Sequence, residues 1–223
     1  MEKTLKLNMH EKCFRLTKML TIISSFYGQI APRTPEVAAD VKKTIINKYI
    51  YITQLSLAFT MIMLMVSFLI THQKSRVFVF LLPNVIIYEL IVVTVWWSLY
   101  FISPVLILGE IGMKKENFSW TTELCQHLFP LFGLFVLFCE TPLQHDTRRY
   151  FLNFGFAIFY ALLLRYNKSV KGKYPYCFLD KMTDLQVSFI FVPSITAIFS
   201  VVLYGIVCLN IVSQKWARSS QNK

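Results

Sequence analysis

Charge is scarce in this chain. Asp, Glu, Lys and Arg make up 16% of its 223 residues, where a soluble domain carries about a quarter. Hydrophobic residues make up 55% and aromatic residues 16%, and the mean hydropathy is +0.51. That balance excludes an ordinary water-soluble domain. Short alternating apolar and polar runs are also missing. In lipid, only helices and closed barrels satisfy every backbone N–H and C=O, so long continuous apolar runs select helices. There is no internal repeat and no low-complexity segment. The basic start (Lys3, Lys6, Lys12) lacks the apolar core and small-residue cleavage site of a signal peptide. The five cysteines are odd in number and show no CxxC or zinc spacing. They read as small apolar residues in a lipid or reducing setting.

What is there is apolar length. Several runs reach or approach the roughly 20 residues that cross a bilayer as a helix. The sequence predicts an all-α polytopic bundle, one membrane domain over 1–223, with about six spans. They fall at 14–30, 49–71, 77–103, 122–139, 150–166 and 187–212. Arg15 and Lys18 lie in the first turns of the first span, where they are expected to snorkel to the headgroups. Pro83 interrupts the third span, and the last gives way to the interface anchor Gln214, Lys215 and Trp216. Six spans put both termini on one side. Basic residues divide 12 to 11 between the two sides, so the positive-inside rule barely chooses; the basic N-terminus before the first span favours cytosolic termini. The formal net charge of +11 points to contact with anionic lipid headgroups. Its scatter over loops on both faces argues against nucleic acid.

Ionisable and polar side chains inside spans are costly and mark function or helix bridging. Glu89 and His127 stand out. His127 lies about five residues into the fourth span, and Thr53 about five into the second, which begins on the same side. The two are expected at similar depth, about 7–8 Å below the interface at ~1.5 Å per residue. A hydroxyl and a neutral imidazole at one depth form a nucleophile–base pair for attack on a carbonyl. A histidine that only hydrogen-bonds a neighbouring helix explains the same residues. Gln126 is expected to orient His127 or to donate to an oxyanion. Glu123 and His127 share a helix face at i, i+4, but no third metal ligand is evident, and neither metal nor cofactor is expected. Glu89 is read as a protonated carboxyl, a partner for a cation or an orienter of His127. Asn84, Asn153 and Asn210 are expected to bridge helices. His10 and His72 lie in polar flanks, and His145 on the far side from His127.

Four stretches carry a family resemblance: KYIYITQLSLA (48–58); Pro83 of FLLPN with the later Trp96 and Trp97; HLFP (127–130) with Glu140 further along; and GKYPYCFLD (172–180). Together they resemble the androgen-induced six-span membrane proteins, whose animal members are threonine hydrolases of fatty-acid esters of hydroxy fatty acids. The resemblance implies a catalytic threonine early in the second span and a histidine in the fourth. His127 takes the second role. A gapless match from Lys48 puts Tyr51 at the threonine position. Thr53 lies two residues on, about 200° around the helix, and is the expected nucleophile if the register shifts.

Three readings follow. One is a hydrolase of lipid esters working through Thr53 and His127 within the bilayer, with the endoplasmic reticulum or plasma membrane as its setting. Another is a non-catalytic lipid-binding or scaffold protein of the same fold. The third is a small transporter with Glu89 as proton site, but the Gly/Pro-interrupted paired spans of inverted repeats are not evident.

Overall fold

A computed structural model describes residues 2–30, 51–69, 75–107 and 119–221. Lys48 and His72 lie outside them. Among the described residues the fold is helical, with no strand. The main helices are α1 (Glu2–Ile30), α2 (Ile52–Leu69), α3 (Arg76–Ile102), α4 (Trp120–His127), α5 (Phe129–Glu140), α6 (Arg148–Lys171) and α7 (Val192–Gln221). A π-helical segment, Gln186–Phe191, leads into α7. Four stretches are long and apolar enough to cross a membrane: Ile52–Leu69, Arg76–Ile102, Trp120–Glu140 and Gln186–Trp216. Helices α1 and α6 run alongside them. α1 packs on α2, α4 and α5, while α6 packs on α3 and α7. The expected short fifth span is a helix of 24 residues, because it continues through basic residues at both ends that an apolar window leaves out.

Leu57, Leu64, Leu82, Ile87, Leu134, Leu137 and Leu203 are fully buried between the helices. Phe101, Phe135, Phe151, Phe154 and Leu209 point outward and are exposed. An apolar exterior around an apolar interior is what lipid as solvent permits.

The fourth expected span is two helices. Pro130 has no N–H to offer the Gln126 carbonyl, four residues back. The break falls at Leu128, with φ −138° and ψ −53°, directly after His127. Pro83 presents the same problem in α3 and is handled differently. The carbonyl of Val79, four residues before it, accepts from Arg149 Nη2 at 3.0 Å, and Arg149 Nε donates to the Phe80 carbonyl at 3.1 Å. The third guanidinium nitrogen, Nη1, donates to the Gln144 carbonyl. A buried arginine on α6 thus satisfies a carbonyl that proline orphans, and α3 continues as one helix.

Lys18 does not snorkel. It is buried at 4% exposure, and its Nζ donates to Glu140 Oε2 at 2.9 Å, joining α1 to the end of α5. Arg15 pairs with Glu11 on the exposed face. Nearby, α1 and α5 touch at Gly133, where an added Cβ would lie 2.7–2.9 Å from Thr21 side-chain atoms. The asparagines bridge helices as expected. Asn84 Nδ2 donates to Asn153 Oδ1 at 2.6 Å and to the Arg149 carbonyl. Asn210 donates to the Phe138 and Thr141 carbonyls and accepts from the Leu143 N–H.

Candidate active site

Thr53, Gln126 and His127, singled out in the sequence, gather near the Gly28–Gln29 end of α1. Gln29 Nε2 donates to the Gln54 carbonyl at 3.0 Å, and Gln126 Nε2 donates to the Gly28 carbonyl at 2.8 Å. Thr53 with Gln54 on α2, and Gln126 with His127 on α4, are therefore tied to the same turn of α1. Gly28 allows the approach, because an added Cβ would lie 3.1 Å from both the Cys125 carbonyl oxygen and Gln126 Cγ. Gln126 is spent on α1, and neither orients His127 nor reaches an open site.

Thr53 lines a narrow cavity of about 90 Å³ enclosed by α2, α3, α6 and the start of α7. Its walls are almost wholly apolar: Ile87, Ile91, Val95, Leu164, Phe191 and Phe199 among them. The polar-bearing side chains on the wall are few. They are Thr53, Tyr88, Trp96, Asn153, Tyr160, Tyr176 and Thr196. Tyr160 Oη accepts from the Ile52 N–H at 3.2 Å, which caps the first turn of α2. The Tyr176 hydroxyl sits beside Thr53 and Tyr160, and burial raises it from its ordinary acidity. Tyr51 is outside this wall. It precedes α2, accepts from the Gln54 and Leu55 N–H groups through its carbonyl, and sets its ring edge-on to Tyr176 at 5.7 Å.

His127 is fully buried but does not line the cavity. Its ring lies flat on Trp96, with centroids 3.7 Å apart and planes 8° from parallel. Trp96 itself is part of the cavity wall. One indole thus stands between the Thr53 cavity and the imidazole. His127 Nε2 lies 3.4 Å from Glu123 Oε2, while its Nδ1 and the Trp96 Nε1–H are buried without a hydrogen-bond partner among the described residues. Trp97 Nε1 donates to the His127 carbonyl at 3.3 Å, steadying the last turn of α4. Among the described residues, no third His, Cys, Asp or Glu joins Glu123 and His127 to make a metal site.

Glu89 is a separate feature. It is fully buried and accepts from Ser56 and, at 3.2 Å, from Thr60, both on α2. Its observed partners are these hydroxyls rather than a cation or His127, so it links α2 to α3.

Trp96, Tyr160 and Tyr176 were not foreseen as site residues. The GKYPYCFLD stretch held the signal for Tyr176. Gly172 ends α6 with a left-handed φ of 74°, which glycine adopts without steric cost. Tyr174 N–H then donates to Asp180 Oδ1 at 2.8 Å, and its hydroxyl donates to Asp184 Oδ1 at 3.0 Å. Partial burial and the Asp184 carboxylate push the Tyr174 hydroxyl up to about 12, so it remains a donor across the physiological range. This folded loop carries Tyr176 inward to Thr53.

No curated protein and no solved structure shows a significant match to the chain. The family model described as FAR-17a/AIG1-like protein matches residues 13–210, a stretch that takes in α2 to α6, the Thr53 cavity and His127. By that match and by its apolar helix bundle, the chain belongs to the FAR-17a/AIG1-like family of membrane proteins.

Proposed function

We propose that this protein binds a lipid ester with its acyl chain in the interior cavity and hydrolyses it, with Thr53 as nucleophile and His127 as base. The observation that carries this reading is the Thr53 hydroxyl on the wall of an otherwise apolar cavity. A few polar groups converging in an apolar pocket suit a ligand with one polar centre and a long tail. Thr53 Oγ1 attacks the ester carbonyl carbon as its proton passes to the imidazole. The tetrahedral intermediate then collapses, the C–O bond to the alcohol breaks, and the alcohol leaves with that proton. Water hydrolyses the acyl-threonine and releases the fatty acid. The buried Trp96 Nε1–H is a ready donor for the carbonyl oxygen.

The resting cavity is small against the ~300–1,000 Å³ of ligand sites, so a long tail must extend past its wall. The route is the seam between α6 and α7. Ala157, Val192 and Thr196 line both the cavity and a groove on the outer surface. That groove also carries the exposed Phe154, Ile158 and Phe189.

A second reading rests on a specific observation too. Trp96 separates His127 from the cavity, and a protein that binds lipid without chemistry needs no path between them. Fluorophosphonate labelling of the purified protein in detergent, mapped by mass spectrometry, decides. Hydrolysis predicts a label on Thr53, lost in Thr53→Ala and His127→Ala proteins that retain the wild-type melting temperature. No label on well-folded protein leaves lipid binding alone.

A further inference from the structure

We propose that a cleft at the opposite end of the bundle from Thr53 binds a phosphate group, carried by the headgroup of an anionic phospholipid. The cleft has a volume of about 800 Å³ and is lined by Arg76, His145, Asp146, Arg148 and Arg149, with Val77 and Phe80 among its apolar residues. Three guanidiniums face one carboxylate in the cleft.

The cations are placed rather than scattered. Arg76 opens α3 and Arg148 opens α6, so two helix N-termini meet at one cleft. Asp146 Oδ1 takes the Arg148 N–H and Ser75 Oγ the Phe78 N–H, so what the two N-termini add for a further anion is the positive end of each helix dipole. Arg149 is fixed in the wall by the Val79, Phe80 and Gln144 carbonyls. Arg148 is held along its Nε and Nη2 edge by Asp146 at 2.7–3.2 Å, leaving Nη1 for a ligand. The Arg148 guanidinium in turn keeps the Asp146 carboxyl at about 2, so the clasp is ionised at neutral pH. The Phe80 ring lies 5.8 Å from both guanidinium carbons. Arg76 is exposed and has no ion-pair partner among the described residues. Arg76 can offer a phosphate two parallel N–H bonds and Arg148 offers Nη1, while Arg149, its three nitrogens taken by carbonyls, contributes positive charge.

The setting favours a lipid over a free anion. Val77, on the cleft wall, is 68% exposed, and Phe151, one turn into α6, is 77% exposed. The basic cleft is therefore continuous with the apolar surface that meets the acyl chains, which is where a phospholipid carries its phosphate.

The test is native mass spectrometry of the full chain in detergent. Phosphatidylglycerol or phosphatidylcholine with the same acyl chains is added at equal concentration. The expected result is a phosphatidylglycerol adduct dominant over phosphatidylcholine. Loss of a charge-assisted contact in Arg76→Gln should weaken it about tenfold, with an unchanged melting temperature because Arg76 is exposed. Lys215→Gln, an exposed basic residue near the same end of the bundle but outside the cleft, should leave the adduct intact. Equal adducts for the two lipids would overturn the proposal, as would equal losses in the two variants. Displacement of phosphatidylglycerol by millimolar inorganic phosphate would overturn its lipid source. None of these readouts depends on hydrolysis.

Discussion

Replacing Arg149 with methionine should destabilise the bundle, and the size of the effect should depend on Pro83. The guanidinium donates to three backbone carbonyls from a site only 3% exposed. One of them, Val79 O, has no helical donor because residue 83 lacks an N–H. Left unpaired in an apolar interior, a carbonyl costs about 1–3 kcal/mol. The other two lose a charge-assisted bond each. Relief from burying a cation offsets part of this, so the net cost of Arg149→Met should be about 2–4 kcal/mol.

Pro83→Ala supplies the missing donor. With Arg149 present, Val79 O already has a partner and gains little. In the Arg149→Met background, the N–H that Pro83→Ala restores takes over that carbonyl and recovers about 1–2 kcal/mol. The changes in helix propensity and ring packing at residue 83 occur in both backgrounds and cancel in the double-mutant cycle. The assay is equilibrium unfolding in mixed micelles, titrating a denaturing detergent into a mild one and following helicity. A coupling of about 1–2 kcal/mol supports the account. Additivity within about 0.5 kcal/mol, or an Arg149→Met protein as stable as wild type, would refute it.

Two further perturbations address the contacts of α1 and use the same unfolding assay. Gly133→Ala should cost about 1–3 kcal/mol, because the new Cβ meets Thr21 at 2.7–2.9 Å; a neutral result would mean that α1 and α5 do not pack this closely. Lys18→Met should destabilise by about 1–3 kcal/mol through loss of the 2.9 Å charge-assisted contact to Glu140, whereas Lys18→Met with Glu140→Leu should recover part of that loss; equal costs would show that the pair matters only through packing.

The sequence reveals the bundle because membrane helices announce themselves by apolar length. That is why α2, α3, the α4–α5 pair and α7 are legible. It reveals α1 and α6 less well, since each carries basic residues that an apolar window penalises. Lys18 and Arg149 show why. Both are buried, and both have partners far away in sequence: Glu140 for one, the Pro83 turn of α3 for the other. No local pattern predicts such pairings. The break at Leu128 was foreseeable from Pro130, yet an apolar count passes over it. At the candidate site, Thr53 and His127 fall beside the same turn of α1, as counting residues from the membrane surface suggests. The cavity wall was not legible. Tyr160 reaches it from α6 and Tyr176 from a loop folded by Gly172 and two aspartates, and only tertiary structure brings them to Thr53.

Trp96 is the residue on which the proposed hydrolysis turns. Its ring stacks on His127, and it is also part of the wall of the Thr53 cavity. In this arrangement the imidazole is sealed from the cavity, and a base must come within hydrogen-bond reach of the hydroxyl it activates. Catalysis through His127 therefore requires the indole to move when a lipid arrives. The Trp96 Nε1–H is unpartnered among the described residues, so no hydrogen bond from the indole itself holds it in place, and a carbonyl in the cavity offers the partner it lacks. A ligand with an ester would favour the displaced indole and one without would not, since a ligand shifts such an equilibrium only by its differential affinity for the two states. Under the proposed hydrolysis, the stacked Trp96–His127 pair would be a closed state that an ester ligand opens, and an acyl chain alone would fill the cavity without exposing the base.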